Sequence, residues 1–440
     1  MSASDGSLSF SRYLAAERQI NEGLIRRNLS IAREGMPPRE PSRKMAAMAA
    51  FLDDCGHPER GIPAVHIAGT SGKGSVAAAT AGILRAAGFK VGLHVSPYLQ
   101  SATEKIWIDG RFVSADEFAD LVSWIMPIAQ KRLNPHTPAS VHGMASVIIA
   151  LEGFRRAGVD IMVFEAGCGG RHDLSNFLNS VVTVVTNVGM DHVVSLGPSL
   201  ENIAWHKAGI AKPGVPMVTG ATGAALDIIA AEADAVGATL HSPNAALPPL
   251  SQNISLAKAA AAHAAEALGR TIRPDDLSTG ARSVRMAGRT EAMPGSAPRI
   301  ILDGAHNPDK LRVAVDAAQE SAAPGKQILL FGAIGAKASP ALVAPLLGRF
   351  DHIIATEPTV YAKSVNPADE TAALFKDAGC TVRTVADPQD AFDEAIEQCD
   401  GEGNILVTGS FYLLSIIRER FYPKREVVLQ GSSFPVILEK

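Results

Sequence analysis

The sequence predicts an α/β protein whose sheets are mostly parallel, and three observations support that fold class. Short apolar runs alternate along the chain with longer segments of helical periodicity. The apolar runs are continuous rather than interrupted by polar residues, which is typical of parallel strands buried on both faces. The alternation restarts near Gly288, so we expect one domain over residues 1–287 and a second, smaller domain over residues 288–440.

The N-terminal domain begins with a predicted helical region over residues 10–52, because Leu14, Ile20 and Leu24 recur at helical spacing. The predicted strands after it are Ala64–Ala68, Val91–Val95, Asp160–Glu165, Val181–Asn187 and Val215–Thr219. The predicted helices are Val76–Ala87, Asp116–Arg132, His142–Ala157, Leu200–Ala208 and Ile254–Leu268. This order predicts a mostly parallel sheet covered by helices.

The C-terminal domain repeats the pattern on a smaller scale. Its predicted strands are Arg299–Leu302, Gln327–Phe331, His352–Ala355, Thr381–Thr384 and Asn404–Val407. A helical segment follows each strand, which predicts a Rossmann-like α/β domain. In the tail, Val427–Leu429 has the composition of a short strand.

Composition and charge exclude several classes of protein. The net charge is −4, from 41 basic and 45 acidic residues, with no basic stripe that would bind nucleic acid. No apolar run is long enough to span a membrane, and the N-terminus lacks the pattern of a signal peptide. The four cysteines have no metal-binding spacing, so we expect reduced thiols in a cytoplasmic protein.

A glycine-rich stretch, HIAGTSGKGS at His66–Ser75, lies between a predicted strand and a predicted helix. The glycines of this stretch allow the backbone to turn its N–H groups toward phosphate oxygens at a helix N-terminus. Thr70 lies in the same stretch and is predicted to bind the nucleotide. Lys73 can reach the terminal phosphates, and the Ser75 hydroxyl can bind Mg²⁺. Because Gly74 separates Lys73 from Ser75, the stretch is a variant of the strict phosphate-loop consensus. It predicts a P-loop-type domain that binds ATP or GTP together with Mg²⁺.

Two further side chains are predicted at the same edge of the sheet. Glu165 ends an apolar run, and His192 follows the next predicted strand. A carboxylate and an imidazole at neighbouring strand ends, near Ser75, form a plausible metal site. Lys207, taken alone, is read as an ordinary solvent-exposed lysine of a helix.

Ordered motifs over nearly the whole chain resemble the folylpolyglutamate synthase/dihydrofolate synthase family of the Mur ligase superfamily. In the N-terminal domain they are HIAGTSGKGS at His66–Ser75, VGLHVSPYL at Val91–Leu99, EKIWIDGRFVS at Glu104–Ser114, FEAGCGGRHDLSN at Phe164–Asn176, TNVGMDH at Thr186–His192 and HKAGIAKPGVPMVTG at His206–Gly220. In the C-terminal domain they are AGRTE at Ala287–Glu291, ILDGAHNP at Ile301–Pro308 and VTGSFYL at Val407–Leu413.

The resemblance implies an ATP- and Mg²⁺-dependent ligase that joins L-glutamate to an acceptor carboxylate, dihydropteroate or folate, through an acyl phosphate. It implies that ATP phosphates bind at Thr70, Gly72, Lys73, Gly74 and Ser75. A monomeric protein that acts on small molecules is also implied.

The resemblance implies further site residues. Glu165, His192 and Ser75 correspond to metal ligands, and Lys207 to a lysine that becomes carboxylated and then binds a second metal ion. Asn253 corresponds to an asparagine beside the adenosine.

In the C-terminal domain, Arg289 and Asp303 correspond to residues that contact the nucleotide. His306 is either a catalytic residue or part of a turn before a helix.

Departures from the family pattern concentrate near the expected acceptor. The family's Ser-Pro-His-Leu reads Ser96-Pro97-Tyr98-Leu99 here, and an aromatic-Phe-Glu triplet reads Ser140-Val141-His142. The segment around Asp173 also differs. We therefore predict Ser96, Tyr98, Val141, His142 and Asp173 as substrate-binding residues.

Two readings of the acceptor remain open at this point. One is dihydropteroate or folate, and the alternative is a non-folate carboxylate in secondary or cofactor metabolism. A nucleotide-dependent binding protein and a P-loop kinase or GTPase are less consistent with the motifs, because the predicted site residues are retained and no Asn-Lys-x-Asp is present.

Overall fold

A computed structural model gives the structure of residues 3–26, 41–133, 140–243, 247–295, 297–334, 339–359, 365–399 and 401–435. The chain forms two compact units. Unit 1 consists of Met1–Tyr98, Ala102–Met286 and Val428–Ser432; unit 2 consists of Leu99–Ser101, Ala287–Val427 and Ser433–Lys440. The domain boundary between residues 287 and 288 stays a prediction.

Unit 1 contains an eight-stranded sheet with the order β4-β3-β2-β5-β1-β6-β7-β8. Its strands are β1 Ala64–Ala68, β2 Val91–His94, β3 Trp107–Ile108, β4 Arg111–Phe112, β5 Ile161–Glu165, β6 Ser180–Val185, β7 Met217–Thr219 and β8 Leu240–His241. Strands β2, β5, β1, β6, β7 and β8 are parallel, whereas β3 and β4 pair antiparallel at one edge.

The helices of unit 1 cover both faces of this sheet. They are α1 Ala3–Ile20, α2 Pro41–Asp54, α3 Lys73–Ala86, α4 Ala115–Lys131, α5 Val141–Ala157, α6 Val193–Leu196, α7 Leu200–Ala208, α8 Gly223–Val236, α9 Pro249–Ala267 and α10 Pro274–Gly280. A π-helical turn, Asn21–Arg26, continues α1, and a 3₁₀ turn spans Ala102–Lys105. Along β1, Val65 and Ile67 pack in the core of α3 and α9, while Ala64 packs in the core of α4 and α5.

Unit 2 contains a six-stranded sheet with the order β13-β12-β11-β14-β10-β9, in which only the pairing of β9 with β10 is antiparallel among the described strands. Its strands are β9 Glu291–Ala292, β10 Arg299–Leu302, β11 Gln327–Phe331, β12 His352–Ala355, β13 Val382–Thr384 and β14 Asn404–Thr408. The helices assigned after α10 are α11 Pro308–Glu320, α12 Pro340–Val343, α13 Ala368–Lys376, α14 Pro388–Gln398, α15 Phe411–Arg418 and α16 Lys424–Gln430, with a 3₁₀ turn at Ala344–Leu346.

The predicted fold class is confirmed, since both units are α/β with mostly parallel sheets. The predicted strand Val427–Leu429 is wrong, because these residues lie in helix α16. The predicted helical region 10–52 contains residues 10–20 of α1, the π-helical turn and most of α2, and its residues 27–40 lie outside the described part of the chain. Among the described helices, none has the length and apolarity needed to cross a membrane.

The four neighbouring parallel strands β2, β5, β1 and β6 position the candidate site. Parallel strands present their carboxyl ends at one edge of a sheet, where ligands bind in α/β proteins. Ser96 follows β2, Glu165 ends β5, the glycine-rich loop follows β1, and Asn187 follows β6. The topology therefore brings side chains from four distant parts of the sequence to one edge.

Candidate active site

The glycine-rich loop ends at Gly72, which is the N-cap of helix α3 and has a left-handed backbone with φ of 78°. A side chain at this position would be strained, and its Cβ would lie 2.5 Å from Oδ1 of Asn253. Gly72 has no side chain that could cap the first turn of α3, and the first backbone N–H groups of a helix have no partner within the helix. The loop is therefore built as an anion-binding helix N-terminus.

Lys73 and Glu165 meet beside this loop. Nζ of Lys73 lies 3.8 Å from Oε1 of Glu165 and donates to the backbone oxygen of Gly69 at 3.2 Å. The Glu165 side chain is only 4% exposed, and its Oε2 accepts the backbone N–H of Ser96 at 3.0 Å. Three predicted site residues, Lys73, Ser96 and Glu165, are thus in contact.

The chemistry of the donor set fits a magnesium ion. Gly74 lies against Glu165, since a Cβ on Gly74 would be 3.4 Å from Oε2 of that carboxylate. Mg²⁺ binds proteins through one or two oxygen ligands and takes the remaining ligands from water and phosphate. The Glu165 carboxylate and the hydroxyl of Ser75, the residue after Gly74, are oxygen ligands of this kind. No group of three or more His, Cys, Asp or Glu side chains forms a metal cluster among the described residues.

The end of strand β6 fixes the loop from the other side. Oγ1 of Thr186 donates to the backbone oxygen of Ser71 at 2.6 Å, and Oδ1 of Asn187 accepts the Ser71 N–H at 2.8 Å. The Thr70 hydroxyl donates to the backbone oxygen of Gly189 at 3.1 Å and accepts the N–H of the same residue at 3.0 Å. Thr70 therefore holds the loop through its hydroxyl. Asn187 is a loop-positioning residue that the sequence analysis did not identify, although it stands in the quoted motif TNVGMDH.

His192 and Lys207 have different environments. His192 has a left-handed backbone, its side chain is 45% exposed, and its Nε2 lies 3.9 Å from Oδ1 of Asp191. Lys207 lies on α7 and is only 2% exposed, so the reading as a solvent-exposed lysine is wrong. Lysines are almost never buried to this extent without a specific reason. The metal-ligand roles of both residues stay predictions.

Asp173 organises the loop that follows Glu165. Its Oδ2 accepts the Gly167 N–H at 3.0 Å, and its Oδ1 accepts the backbone N–H of Ser175 at 3.0 Å and the Ser175 hydroxyl at 2.5 Å. The hydroxyl of Ser175 also lies 2.8 Å from Nε2 of His66 on β1. These contacts engage both oxygens of a buried carboxylate, and substrate binding by Asp173 stays a prediction.

A pocket in unit 1 contains two of the predicted substrate residues. Its lining residues are Ile20, Asn21, Tyr98, Ala102, Lys105, Ile106, Phe118, His142, Ser146 and Ile149. Nζ of Lys105 donates to Oγ of Ser146 at 3.0 Å and lies 5.1 Å from the centroid of the Tyr98 ring. Tyr98 and His142 are therefore brought together, although they are 44 positions apart in the sequence.

Lys105 provides the positive charge of this pocket. Nε2 of His142 is within 3.1 Å of Oδ1 of Asn21, and burial, reinforced by the nearby Lys105 ammonium, lowers the pKa of His142 to about 4. His142 is thus neutral at pH 7. Val141, at the first position of α5, is fully buried in the apolar core and does not line the pocket. Lys105 was not identified as a site residue from the sequence, because only the fold shows that it faces Tyr98.

In unit 2, Arg289 lies on a tight turn between Gly288 and Glu291. Asp303, at the end of β10, accepts the backbone N–H and hydroxyl of Thr290 at 2.8 and 3.1 Å. Burial raises the pKa of Asp303, while the charge of Arg289 lowers it. The Arg289 guanidinium carbon lies 4.6 Å from the centroid of the Phe411 ring.

His306 lies three residues after Asp303, immediately before helix α11. Its Nδ1 lies 2.8 Å from the backbone oxygen of Gly304, and its Nε2 lies 3.3 Å from Nζ of Lys310. Asn307 caps α11 by accepting the Lys310 N–H at 2.9 Å. The motif thus forms a turn before a helix, as one of the two interpretations predicted, and a catalytic role for His306 stays a prediction.

Comparison with known proteins points to one family. Residues 288–411 match the model of the Mur ligase glutamate ligase domain. A probable bifunctional folylpolyglutamate synthase/dihydropteroate synthase of Halobacterium salinarum is 32% identical over 87% of this chain and 50% of that protein. The dihydrofolate synthase/folylpolyglutamate synthase of Bacillus subtilis is 29% identical over 86% of this chain and 94% of that protein. The chain spans about half the length of the two haloarchaeal relatives that it matches.

Solved structures agree with these relatives. The folylpolyglutamate synthase of Mycobacterium tuberculosis, complexed with ADP and AMPPCP, superposes with a TM-score of 0.81 at 25% identity over 93% of this chain and 99% of that chain. The glycine-rich loop, the buried Glu165 and the turn bearing Arg289 thus occur within a fold shared over nearly the whole chain. The chain belongs to the folylpolyglutamate synthase/dihydrofolate synthase family of the Mur ligase superfamily.

Proposed function

We propose that this protein is an ATP- and Mg²⁺-dependent amide ligase that joins L-glutamate to the carboxylate of dihydropteroate, folate or both through an acyl phosphate. The observation that carries the proposal is the contact of Lys73 with Glu165 at the end of the glycine-rich loop, where Ser96 also binds Glu165. Phosphoryl transfer requires backbone N–H groups that bind phosphate, a positively charged side chain and a carboxylate for a metal ion.

A carboxylate needs activation before an amine can displace one of its oxygens. In the proposed first step an acceptor oxygen attacks the γ-phosphorus of ATP, the bond to ADP breaks, and an acyl phosphate forms. The glutamate amine then attacks the acyl carbon, loses a proton, and inorganic phosphate leaves. Lys73 is placed to neutralise the charge that develops on the phosphate oxygens.

Ser75 and Glu165 are the residues that we propose to hold Mg²⁺, which supplies positive charge next to the phosphates. We extend the proposed ligands to His192 and, once carboxylated, Lys207. A carbamate would convert the ammonium of a buried lysine into an anion suited to a second metal ion. The burial of Lys207 supports this role, because lysine side chains are rarely buried to this extent in soluble proteins.

Nucleotide binding is proposed to involve Thr70, Gly72, Gly74 and Asn253. The contact of Asn253 with the Gly72 position supports this, because it places the asparagine amide directly at the loop. In unit 2, the residues proposed to bind nucleotide are Arg289 and Asp303, and His306 is proposed to act in catalysis.

The acceptor is proposed to bind in the pocket lined by Tyr98, Lys105 and His142. Tyr98 lies two residues after Ser96 in the loop that follows β2, and Ser96 contacts Glu165 beside the glycine-rich loop, so the loop after β2 connects the pocket to the phosphate site. The relatives' names support a folate-type acceptor over the non-folate alternative. A monomer located in the cytoplasm is part of the proposal.

The test is a ligation assay with purified protein, ATP, Mg²⁺, L-glutamate and dihydropteroate. We expect ADP, phosphate and a product heavier by one glutamyl residue, measured by mass spectrometry. Reactions without glutamate or with the Lys73→Ala variant serve as controls. Turnover of another carboxylate, with none for dihydropteroate or folate, would overturn the acceptor assignment and leave the ligase chemistry standing.

A further inference from the structure

The turn that carries Arg289 has a backbone that requires external support. Gly288 has φ of 70° and Thr290 has φ of 44°, so two of its residues are left-handed. For a β-branched residue such as Thr290 this conformation is strained and persists only where its surroundings hold it. The neighbours of the turn therefore determine where Arg289 points.

Two buried carboxylates supply that support. Asp303 binds the backbone N–H and the hydroxyl of Thr290 on one side of the turn. On the other side, Oε2 of Glu291 accepts the N–H of Gly288 at 2.7 Å. The Glu291 carboxylate thus closes the turn across Arg289, joining the residue before it to the residue two positions after it.

Arg418, at the end of α15, holds the Glu291 carboxylate in place. Its Nε lies 3.1 and 3.0 Å from the two carboxylate oxygens, and its Nη2 lies 2.8 Å from Oε1. The Arg418 side chain is 0% exposed and that of Glu291 is 2% exposed. A fork of this kind fixes both the position and the plane of a carboxylate.

The guanidinium of Arg418 is itself fixed by further contacts. It donates to the backbone oxygen of Ser433 at 2.5 Å and to the side-chain oxygen of Gln100. Its carbon lies 4.5 Å from the centroid of the Tyr422 ring and 5.4 Å from that of Phe434. The charge is therefore fully enclosed by acceptors and aromatic rings.

We propose that Arg418 is a positioning residue for nucleotide binding, which acts through Glu291 and the Gly288 N–H to aim Arg289. The proposal rests on the nucleotide-contacting role proposed for Arg289. A buried ion pair often stabilises a fold no more than apolar side chains of similar volume do. An apolar pair in its place would fill the space but could not bind the Gly288 N–H or fix the turn.

The experiment is a double-mutant cycle on kcat/KM for ATP with Arg418→Lys and Arg289→Ala. Lysine keeps the positive charge of Arg418 but loses the two-point contact with Glu291. We expect Arg418→Lys to lower kcat/KM on the order of 10²-fold in the wild-type background, as for a small displacement of a catalytic group. In the Arg289→Ala background the same substitution should have almost no further effect.

Arg420→Lys is the matched control, because Arg420 lies two residues away and binds Asp393 on the surface. It should leave kcat/KM unchanged in both backgrounds. The melting temperature of every variant shows whether a loss of kcat/KM is caused by unfolding. If Arg418→Lys does not fold, the pair Arg418→Met with Glu291→Leu replaces it in the same cycle.

Equal losses from Arg418→Lys in the two backgrounds would overturn the proposal, because a residue that serves only the fold acts independently of Arg289. Unchanged kcat/KM in Arg418→Lys with a large loss in Arg289→Ala would also overturn it and leave the role of Arg289 intact. Full activity of Arg289→Ala would remove the nucleotide-binding role of Arg289 and, with it, this inference.

Discussion

The glycine-rich loop of unit 1 and the Arg289 turn of unit 2 both use left-handed backbone, but they are held by different chemistry. The loop is fixed by neutral contacts from Thr186 and Asn187 to the backbone of Ser71. The turn is fixed by the buried carboxylates of Asp303 and Glu291.

The difference concerns which side chains can change without loss of the fold. In the loop, Lys73 makes one backbone contact, with the carbonyl oxygen of Gly69, in addition to the neutral contacts that fix Ser71, and its other contact is with the Glu165 carboxylate. In the turn, the charges themselves hold the backbone. Function and stability should therefore separate in the loop and remain coupled in the turn.

Lys73→Ala is the sharpest test of the loop side of this comparison. We expect kcat/KM for ATP to fall about 10²- to 10³-fold, because one preorganised positive group at the reacting phosphates is lost. The melting temperature should stay near that of the wild type. Lys131→Ala, which removes an exposed lysine from the end of α4, is the control. A large drop in melting temperature would mean that Lys73 supports the fold and that the two regions do not differ.

Asp303→Ala tests the turn side. It removes the acceptor of the Thr290 N–H, the Thr290 hydroxyl and the Ala305 N–H, the last at 2.8 Å. Leaving buried donors unsatisfied costs about 1–3 kcal/mol each, so we expect a loss of several kcal/mol in the free energy of unfolding. Chemical denaturation measures this loss. The control is Asp309→Ala, since that aspartate is exposed and binds only at the surface.

A decrease in activity of Asp303→Ala should accompany its loss of stability. If Asp303→Ala binds ATP normally and is as stable as the wild type, the turn does not depend on its carboxylates. The contrast with the glycine-rich loop would then fail.

The sequence predicted most of what positions the phosphate site. The bounds of β1, α7, β10, β11 and β12 are those predicted, because each has a continuous apolar run or a clear helical period bounded by polar residues. Strand β6 ends two residues earlier than predicted, at Val185, because Thr186 and Asn187 bind the glycine-rich loop through their side chains. Contacts of this kind are tertiary and leave no periodic signal.

The tail and the acceptor pocket show why the rest could not be predicted. Val427–Leu429 reads as strand by composition, but Val427 and Val428 are both buried within helix α16, so packing overrides local preference. Lys105 faces Tyr98 and Ser146 only after the chain folds. Arg418 has no neighbouring motif that indicates its contact with Glu291, which lies 127 residues away.

Acidification should distinguish the units through buried imidazoles. Burial lowers the pKa of His66 and His142 to about 4 and that of His94 to about 3, and all three lie in unit 1. Their folded-state pKa values lie below the unfolded value of 6.5, so their contribution to stability is present above pH 6.5. It is lost as the pH falls toward 4, because the unfolded state takes up more protons.

Tryptophan fluorescence measures this effect, since Trp107, Trp124 and Trp205 all belong to unit 1. We expect the free energy of unfolding reported by fluorescence to decrease between pH 6.5 and pH 4. His142→Gln keeps a polar group beside Asn21 but cannot titrate, and it should make this decrease shallower. An identical pH dependence in that variant would show that His142 is not buried in its neutral form.

Lys105→Met should produce the smallest effect and tests the acceptor pocket rather than the phosphate site. We expect KM for dihydropteroate to rise about tenfold, the size of one lost hydrogen bond from a charged donor. KM for ATP should not change, because Lys105 contacts Ser146 and Tyr98 in the pocket proposed for the acceptor. Lys105→Arg keeps the positive charge, so its KM for dihydropteroate should lie between the values of the wild type and of Lys105→Met. If KM for ATP rises and KM for dihydropteroate does not change, the pocket binds the nucleotide rather than the acceptor. The proposed separation of the acceptor site from the nucleotide site would then be wrong.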